Sequence, residues 1–263
     1  MLAVATLALI VGAVAGPAIP DLVLHPFADQ RAWLGIPNFS DVMSNMAFAI
    51  VGVLGLIEIS RSSRHPTFAD PWERWPYVVL FAGTALVSLG SAYYHLAPSA
   101  ARLVWDRLPI AVGFMGLLTA VVAERVSMRA ARWLLAPLIA LGLASVLVWY
   151  SSELSGTSDV RVYLLVQAGS MLLVVVMLVL YPPRYTGAGY LAAGLALYAA
   201  SKALELADHR IFSVGQMVSG HTLKHFLAAA AVGSIVLMLR ERTVVFDAGE
   251  RVELVRVDAE AAA

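Results

Sequence analysis

Cysteine is absent from this 263-residue chain, and charged residues are scarce at 14%. The lack of cysteine excludes disulfides, thiolate metal ligands, iron–sulfur clusters and thiol nucleophiles. Basic and acidic residues balance at 18 each, so we expect no basic surface for nucleic acid. Histidine is therefore the side chain best suited to a transition metal, and the chain has 6 of them.

Hydrophobic residues make up 60% of the chain, against roughly 45–50% in soluble domains. A soluble fold cannot hide that excess, so part of it must face lipid. Eight apolar stretches approach the length of about 20 residues that a membrane helix needs. They cover residues 1–18, 39–59, 75–97, 107–124, 131–150, 160–181, 187–206 and 218–239. The sequence therefore predicts an all-α, polytopic membrane helix bundle.

We divide the chain into four parts by hydropathy and charge. Residues 1–18 are interpreted as an uncleaved N-terminal helix, with a removed signal sequence as the alternative, and 19–37 as an outward loop. Residues 38–240 form a seven-helix core, and 241–263 a disordered tail. Arginine is more frequent in the connectors on the side of the tail, which predicts a cytoplasmic C-terminus.

Two pairs of polar residues are spaced one helical turn apart. His221 and His225 open the last predicted helix, and Ser91 and His95 close the second core helix. Residues at i and i+4 share a helix face, so each pair can act on one ligand. Paired histidines of this kind can clamp a metal ion, or they can simply hydrogen-bond at an interface.

The order of the predicted helices brings these residues to one membrane face. The second core helix ends there, and the third and seventh begin there, the third at Asp106. We expect His95, His221 and His225 to hold a metal, Asp106 to transfer protons, and Ser91 to donate to an oxyanion. The structural alternatives are a helix N-cap for Asp106 and a bond to its own helix for Ser91.

Further polar residues lie near the same face. Lys202 and Glu205 are expected to pair at i, i+3 and to contact substrate, with interfacial snorkelling as the alternative. Tyr94, beside His95, is also a candidate for contacting substrate. The remaining histidines, His25, His65 and His209, are predicted to lie in solvated loops.

Taken together, residues 29–240 resemble the alkaline ceramidase family, part of a wider group of seven-helix membrane hydrolases that includes progestin/adiponectin-type receptors. The resemblance rests on Ser91-x-x-x-His95, on Asp106-Arg107-Leu108-Pro109 and on His221-x-x-x-His225, together with a Ser44-Asn45 pair. It implies Zn²⁺ on the three histidines and hydrolysis of the ceramide amide to a fatty acid and a sphingoid base. Asn45 joins the candidates for contacting substrate.

One departure from the family concerns calcium. Relatives similar to the animal enzymes carry an acidic calcium site before the first core helix, whereas this stretch has Asp29 and Arg31, and calcium is not expected here. The alanine- and arginine-rich composition favours a bacterial inner membrane, with the active site towards the outer face. The substrate is then ceramide or a related lipid amide.

Two other classes of function stay open at this point. A non-catalytic receptor or lipid-binding protein could use the same residues to bind metal and lipid without turnover. A metal or proton transporter would spread polar residues through the depth of the bilayer, whereas here they gather at one face. The pairing of Asp106 with Ser91 favours chemistry, because binding alone needs neither residue.

Overall fold

In the computed structural model, residues 6, 11–12, 15–21, 26–61 and 67–245 are described, and their regular elements are helices. Seven long helices and one short helix, α7, follow one another along the chain. They are α1 Phe39–Arg61, α2 Arg74–Leu96, α3 Ala100–Arg125, α4 Met128–Leu154, α5 Arg161–Leu180, α6 Ala188–Leu206, α7 Asp208–Gly215 and α8 Gly220–Glu241.

Six of the long helices are long and apolar enough to cross a membrane. The exception is α6, whose apolar run is diluted by Lys202 and Glu205 near its end. The chain is thus an integral membrane protein by its helices, and the predicted helical membrane bundle is confirmed. Helix α3 lies at the centre, between α2, α4 and α5, while α8 packs against α1 and α6.

Helix α3 differs most from its predicted bounds. It begins at Ala100 rather than at 107, with Ser99 as its N-cap, whose hydroxyl accepts a hydrogen bond from the Arg102 N–H at 3.3 Å. The polar residues Arg102 and Asp106 hid this start from a hydropathy count. Asp106 lies in the second turn, so its alternative role as N-cap of this helix is wrong.

Two local features were not foreseen. Helix α5 contains a π-helical turn at Leu165–Gly169, a type of irregularity that is frequent at functional sites. The supposed loop around His209 is instead the helix α7, where the His209 ring Nε2 lies 3.1 Å from the Pro26 carbonyl oxygen.

The two ends of the chain are described in part. The predicted helix at 1–18 lies largely outside the described residues, as do His25, His65 and residues 246–263 of the predicted tail. The start of that tail is ordered rather than disordered. The Thr186 N–H donates to the Thr243 carbonyl at 2.9 Å, and the Val245 N–H donates to the Arg184 carbonyl at 2.8 Å.

The segment before α1 crosses the end of the bundle where α2 finishes and α8 begins. A buried ion pair joins Asp21 to Arg107 on α3 at 2.8 Å. Farther along, the Ala28 N–H donates to the Asp208 carboxylate at 3.0 Å. These contacts place Phe27 directly over the residues described next.

Candidate metal centre and cavity

His95, His221 and His225 form a compact buried triangle. Their rings come from the last turn of α2 and the first two turns of α8, and none is more than 5% exposed. The ring centroids are 4.9 Å apart for His95–His221 and His221–His225, and 5.1 Å for His95–His225. The structure thus brings together the three histidines that the sequence singles out, and we call them the histidine cluster.

The spacing of the ring nitrogens suits a small metal ion. One nitrogen from each ring lies within 4.8 Å of the others, and Nε2 of His95 is 3.3 Å from Nε2 of His221. A tetrahedral ion with metal–nitrogen distances of about 2.0–2.1 Å places its ligands about 3.3–3.4 Å apart. A hydrogen bond between two imidazoles explains one of these pairs but not the convergence of three. The cluster could therefore hold a metal ion.

A serine on α1 sets the tautomer of His225. The Ser44 hydroxyl donates to the Asp41 carbonyl at 3.0 Å, and the same oxygen lies 2.7 Å from Nδ1 of His225. Because a hydroxyl has one hydrogen, this pattern assigns the donor role to His225 Nδ1. The Nε2 lone pair of His225 is then left for a metal, an arrangement typical of metal-binding histidines.

The polar face of α1 supports both partner helices at the cluster. The Asn38 amide donates to the His95 carbonyl at 2.7 Å, and the Asp41 carboxylate accepts from the Thr222 hydroxyl at 2.6 Å. Asp41 and Ser44 are three residues apart on one face of α1, and Asn38 is the residue that caps the start of this helix. Sequence reasoning missed this support, although polar residues at that spacing in an apolar helix were a readable signal.

The start of α8 is held by a close approach to α6 and α7. The Asp208 carboxylate accepts from the His221 N–H at 2.8 Å, and the Ser219 hydroxyl caps the helix at Thr222. A β-carbon on Gly220 would lie 2.2 Å from the Leu204 carbonyl oxygen. Glycine is therefore needed at this position for His221 to reach its place.

Ser91 and Asp106 meet between α2 and α3. Both side chains line the cavity described below, and the Ser91 hydroxyl interacts with the Asp106 carboxylate. The helices pack closely here, because a β-carbon on Gly90 would lie 2.0 Å from the Trp105 carbonyl oxygen. The interaction gives Ser91 a partner outside its own helix. Its predicted role as an oxyanion donor stays a prediction.

Phe27 covers the histidine cluster at the end of the bundle where α2 finishes and α8 begins. Its ring centroid is 4.6 Å from those of both His95 and His221, and the residue is 6% exposed. Sequence reasoning did not identify this residue, because nothing local marks a phenylalanine in a connector as a cover. Its position shields the cluster from bulk water.

Below the cluster a cavity opens between the helices, with an empty volume of about 1020 Å³, part of it open to the outside. Its polar end carries Ser91, Asp106, Lys202, Lys224 and His225. Most of its remaining wall is apolar, including Leu80, Val87, Phe114, Leu117, Met171 and Ile235. The π-helical turn contributes Gln167. The shape and the lining suit the chain of an amphiphile.

The residues predicted to contact substrate fall into two groups. Lys202 lines the cavity, and Glu205 accepts from it at 2.7 Å. Asn45 and Tyr94 are buried away from the cavity lining: the Asn45 amide donates to the Asp41 carbonyl at 2.7 Å, and the Tyr94 ring packs on Phe27. Substrate contact by these two stays a prediction, and their visible contacts are structural.

The connector before α1 carries its own cation. Arg31 donates to both oxygens of Asp29, at 2.7 and 2.8 Å, and to the carbonyls of Gln216 and Met217. Hydrogen bonding to this guanidinium holds the pKa of Asp29 below its usual value. Both oxygens of the Asp29 carboxylate are thus bound by an arginine, and the doubt about calcium stays a prediction.

No protein-family model matches the chain, and no curated protein matches it. The function is therefore inferred from the histidine cluster, the Ser91–Asp106 pair and the cavity.

Proposed function

We propose that the protein is an integral-membrane, zinc-dependent amidase. It hydrolyses the N-acyl amide of ceramide or a related lipid, releasing a fatty acid and a sphingoid-type amine. One observation carries the proposal: three histidines converge beside an otherwise apolar cavity, and one of them, His225, lines that cavity together with Asp106 and Ser91. The motif resemblance to alkaline ceramidases supports the same reaction.

The chain's own residues divide the work as follows. His95, His221 and His225 would hold Zn²⁺, which would supply Lewis acidity and make a bound water more acidic. Asp106 accepts a proton from the attacking water and delivers it to the amide nitrogen as the C–N bond breaks. Ser91 orients Asp106 and donates a hydrogen bond to the carbonyl oxygen when substrate enters. Phe27 limits access of bulk water.

The same proposal gives the orientation in the membrane. The cluster lies at the end of the bundle where α2 finishes and α8 begins, and the arginine-rich connectors are at the other end. By the positive-inside rule, the site faces outward and the C-terminus is cytoplasmic, as in a bacterial inner-membrane protein. Cysteines introduced at Arg102 and Arg129 and labelled from either side of sealed vesicles test this orientation.

The proposal is tested by fatty-acid release from a ceramide by the purified chain in detergent. Activity should require zinc, and Asp106→Asn should lower kcat by at least about 100-fold, the scale of general acid–base catalysis. Asp70→Asn, which changes a carboxylate at the opposite end, is the matched control. Zinc and lipid binding without turnover over a panel of lipid amides would instead support the receptor-like alternative.

A further inference from the structure

Lysine occurs twice in the chain, and both copies line the same cavity. They are Lys202 on α6 and Lys224 on α8, and every other basic residue is an arginine. Lys224 lies within a helix apolar enough to cross a membrane. Ionisable residues in such segments are costly and by default mark a functional site. The gathering of both lysines at one cavity therefore points to a ligand.

The two lysines share one carboxylate. Lys202 and Lys224 donate to different oxygens of Glu205, and Lys224 is 18% exposed. One carboxylate neutralises one ammonium group, so the trio carries one positive charge. Each ammonium has three donors, and within the described residues Glu205 is the hydrogen-bond partner of both. A purely structural ion pair would need only one of the lysines.

The position of the trio defines the chemistry of its ligand. Lys202 and Lys224 lie at the cavity end that carries His225 and Asp106, and the acyl chain of an amphiphile fits the apolar remainder. Asp106 is the other charged group on the lining, and its carboxylate interacts with Lys224 and with Ser91, which leaves Lys202 as the lysine more available to a ligand. An anionic group on the ligand would therefore meet the lysines beside the reacting centre.

We infer that the lysine pair binds a carboxylate on the lipid amide, so that the preferred substrates are N-acyl amino acids rather than neutral ceramides. This inference rests on the proposed function. The reaction is R–CO–NH–CHR′–COO⁻ + H₂O → R–COO⁻ + ⁺H₃N–CHR′–COO⁻. The C–N bond breaks, the water oxygen joins the acyl carbon, and both water hydrogens end on the amine.

A carboxylate also forms on the released fatty acid, so the test must separate the two sources. Equilibrium binding to the full chain in detergent is measured for four lipids with the same chain: N-palmitoylglycine, N-palmitoylglycinamide, palmitate and hexadecanol. Hydrolysis of the two amides is measured in parallel. The proteins are the unmodified chain, Lys202→Met, the charge-conserving Lys202→Arg, and Arg210→Met at an exposed position.

The unmodified chain should bind N-palmitoylglycine about 10- to 100-fold more tightly than the glycinamide, the range expected for a hydrogen bond to a charged group. Lys202→Met should bring this ratio close to one, whereas Lys202→Arg and Arg210→Met should preserve it. Because the Lys202 side chain is half-exposed, replacing it should not unfold the protein. If Lys202→Arg keeps the preference for N-palmitoylglycine, the effect of Lys202→Met is due to the lost charge and not to altered packing.

Three results would separately overturn either the carboxylate site or the amidase proposal on which it rests. Equal binding of the two glycine lipids overturns it, and if the glycinamide is still hydrolysed the amidase proposal survives. If the protein prefers palmitate to hexadecanol through the lysines but binds the two glycine lipids equally, the lysines bind the carboxylate of the released fatty acid instead. Lysine-dependent binding of N-palmitoylglycine without hydrolysis of either amide keeps the carboxylate site and refutes the amidase.

Discussion

The two ends of the helix bundle both bury polar side chains, but they balance them differently. At the end away from the histidines, Arg242 is 4% exposed and pairs with Glu124. It also donates to the Thr67 carbonyl at 3.0 Å and lies over the Tyr185 ring, 4.2 Å from its centroid. The cation and the anion of this network both come from the chain.

The histidine cluster has the opposite character. Three rings converge, and donation from His225 Nδ1 to the Ser44 oxygen leaves the Nε2 lone pair of His225 for an ion. Nothing on the three rings supplies a permanent positive charge to meet these lone pairs. The comparison teaches that a buried network containing both a cation and an anion stabilises the packing of helices. A cluster of ring nitrogens that only accept has no cation of its own and needs one from outside the chain. The predictions below test that distinction, from the largest expected effect to the smallest.

Replacing a cluster histidine should have the largest effect on metal binding. His221→Ala removes one of three ligands, so zinc affinity should fall by more than the roughly 100-fold seen when a supporting residue is lost. Competition with a chromophoric chelator measures this affinity. Unchanged zinc binding by His221→Ala would show that the ion, if any, lies elsewhere.

Removing the cation at the opposite end should affect stability instead. Arg242→Met removes the cation from the largely buried Glu124 and leaves it only the Tyr77 hydroxyl as donor, which should lower the free energy of unfolding by roughly 3 kcal/mol, the lower end of the range for a broken buried pair. Denaturant unfolding in detergent gives this value, and Glu124→Gln in the same chain should recover part of it. Zinc affinity of the folded fraction should stay the same, and a matching loss would contradict the separation of the two ends.

The supporting hydroxyl on α1 should have an intermediate effect. Ser44→Ala removes the acceptor for His225 Nδ1 and should weaken zinc binding by about 10- to 100-fold. Ser145→Ala is the matched control, since Ser145 is also buried but bonds only to its own helix, at the Gly142 carbonyl. Equal effects of the two changes would attribute the loss to packing.

The smallest effect should come from an ion pair at the start of α5, between Asp159 in the connector and Arg161 in the helix. Arg161 hydrogen-bonds Asp159 and lowers the pKa of that carboxyl to about 2. A lowered pKa means that the pair stabilises the fold above the usual value of 3.8 and is lost as the pH falls towards 2. Asp159→Asn should cost no more than about 1 kcal/mol at pH 7. Thermal unfolding at pH 7 and pH 2.5 checks that the cost becomes smaller in acid.

Much of the fold and the centre of the site could be predicted from the sequence. Apolar runs locate membrane helices because each apolar residue lowers the free energy of transfer into the bilayer, whatever its tertiary contacts. Helix direction alternates along such a chain, so the ends of the helices carrying His95, His221 and His225 could be assigned to one face. The start of α3 was missed because a polar first turn near the interface does not look like a membrane segment.

What only the tertiary structure decided is how that site is supported and filled. Ser44 and Asp41 act on residues 181 positions away, a contact that no local pattern encodes. The position of Phe27 and the meeting of Lys202 with Lys224 depend likewise on how helices and connectors pack. Hydropathy and spacing along one helix are local properties, and they determined the helical membrane class, most of the helices and the three histidines of the cluster. Contacts between helices depend on the whole packing, so they determined the support, the cover and the chemistry of the cavity.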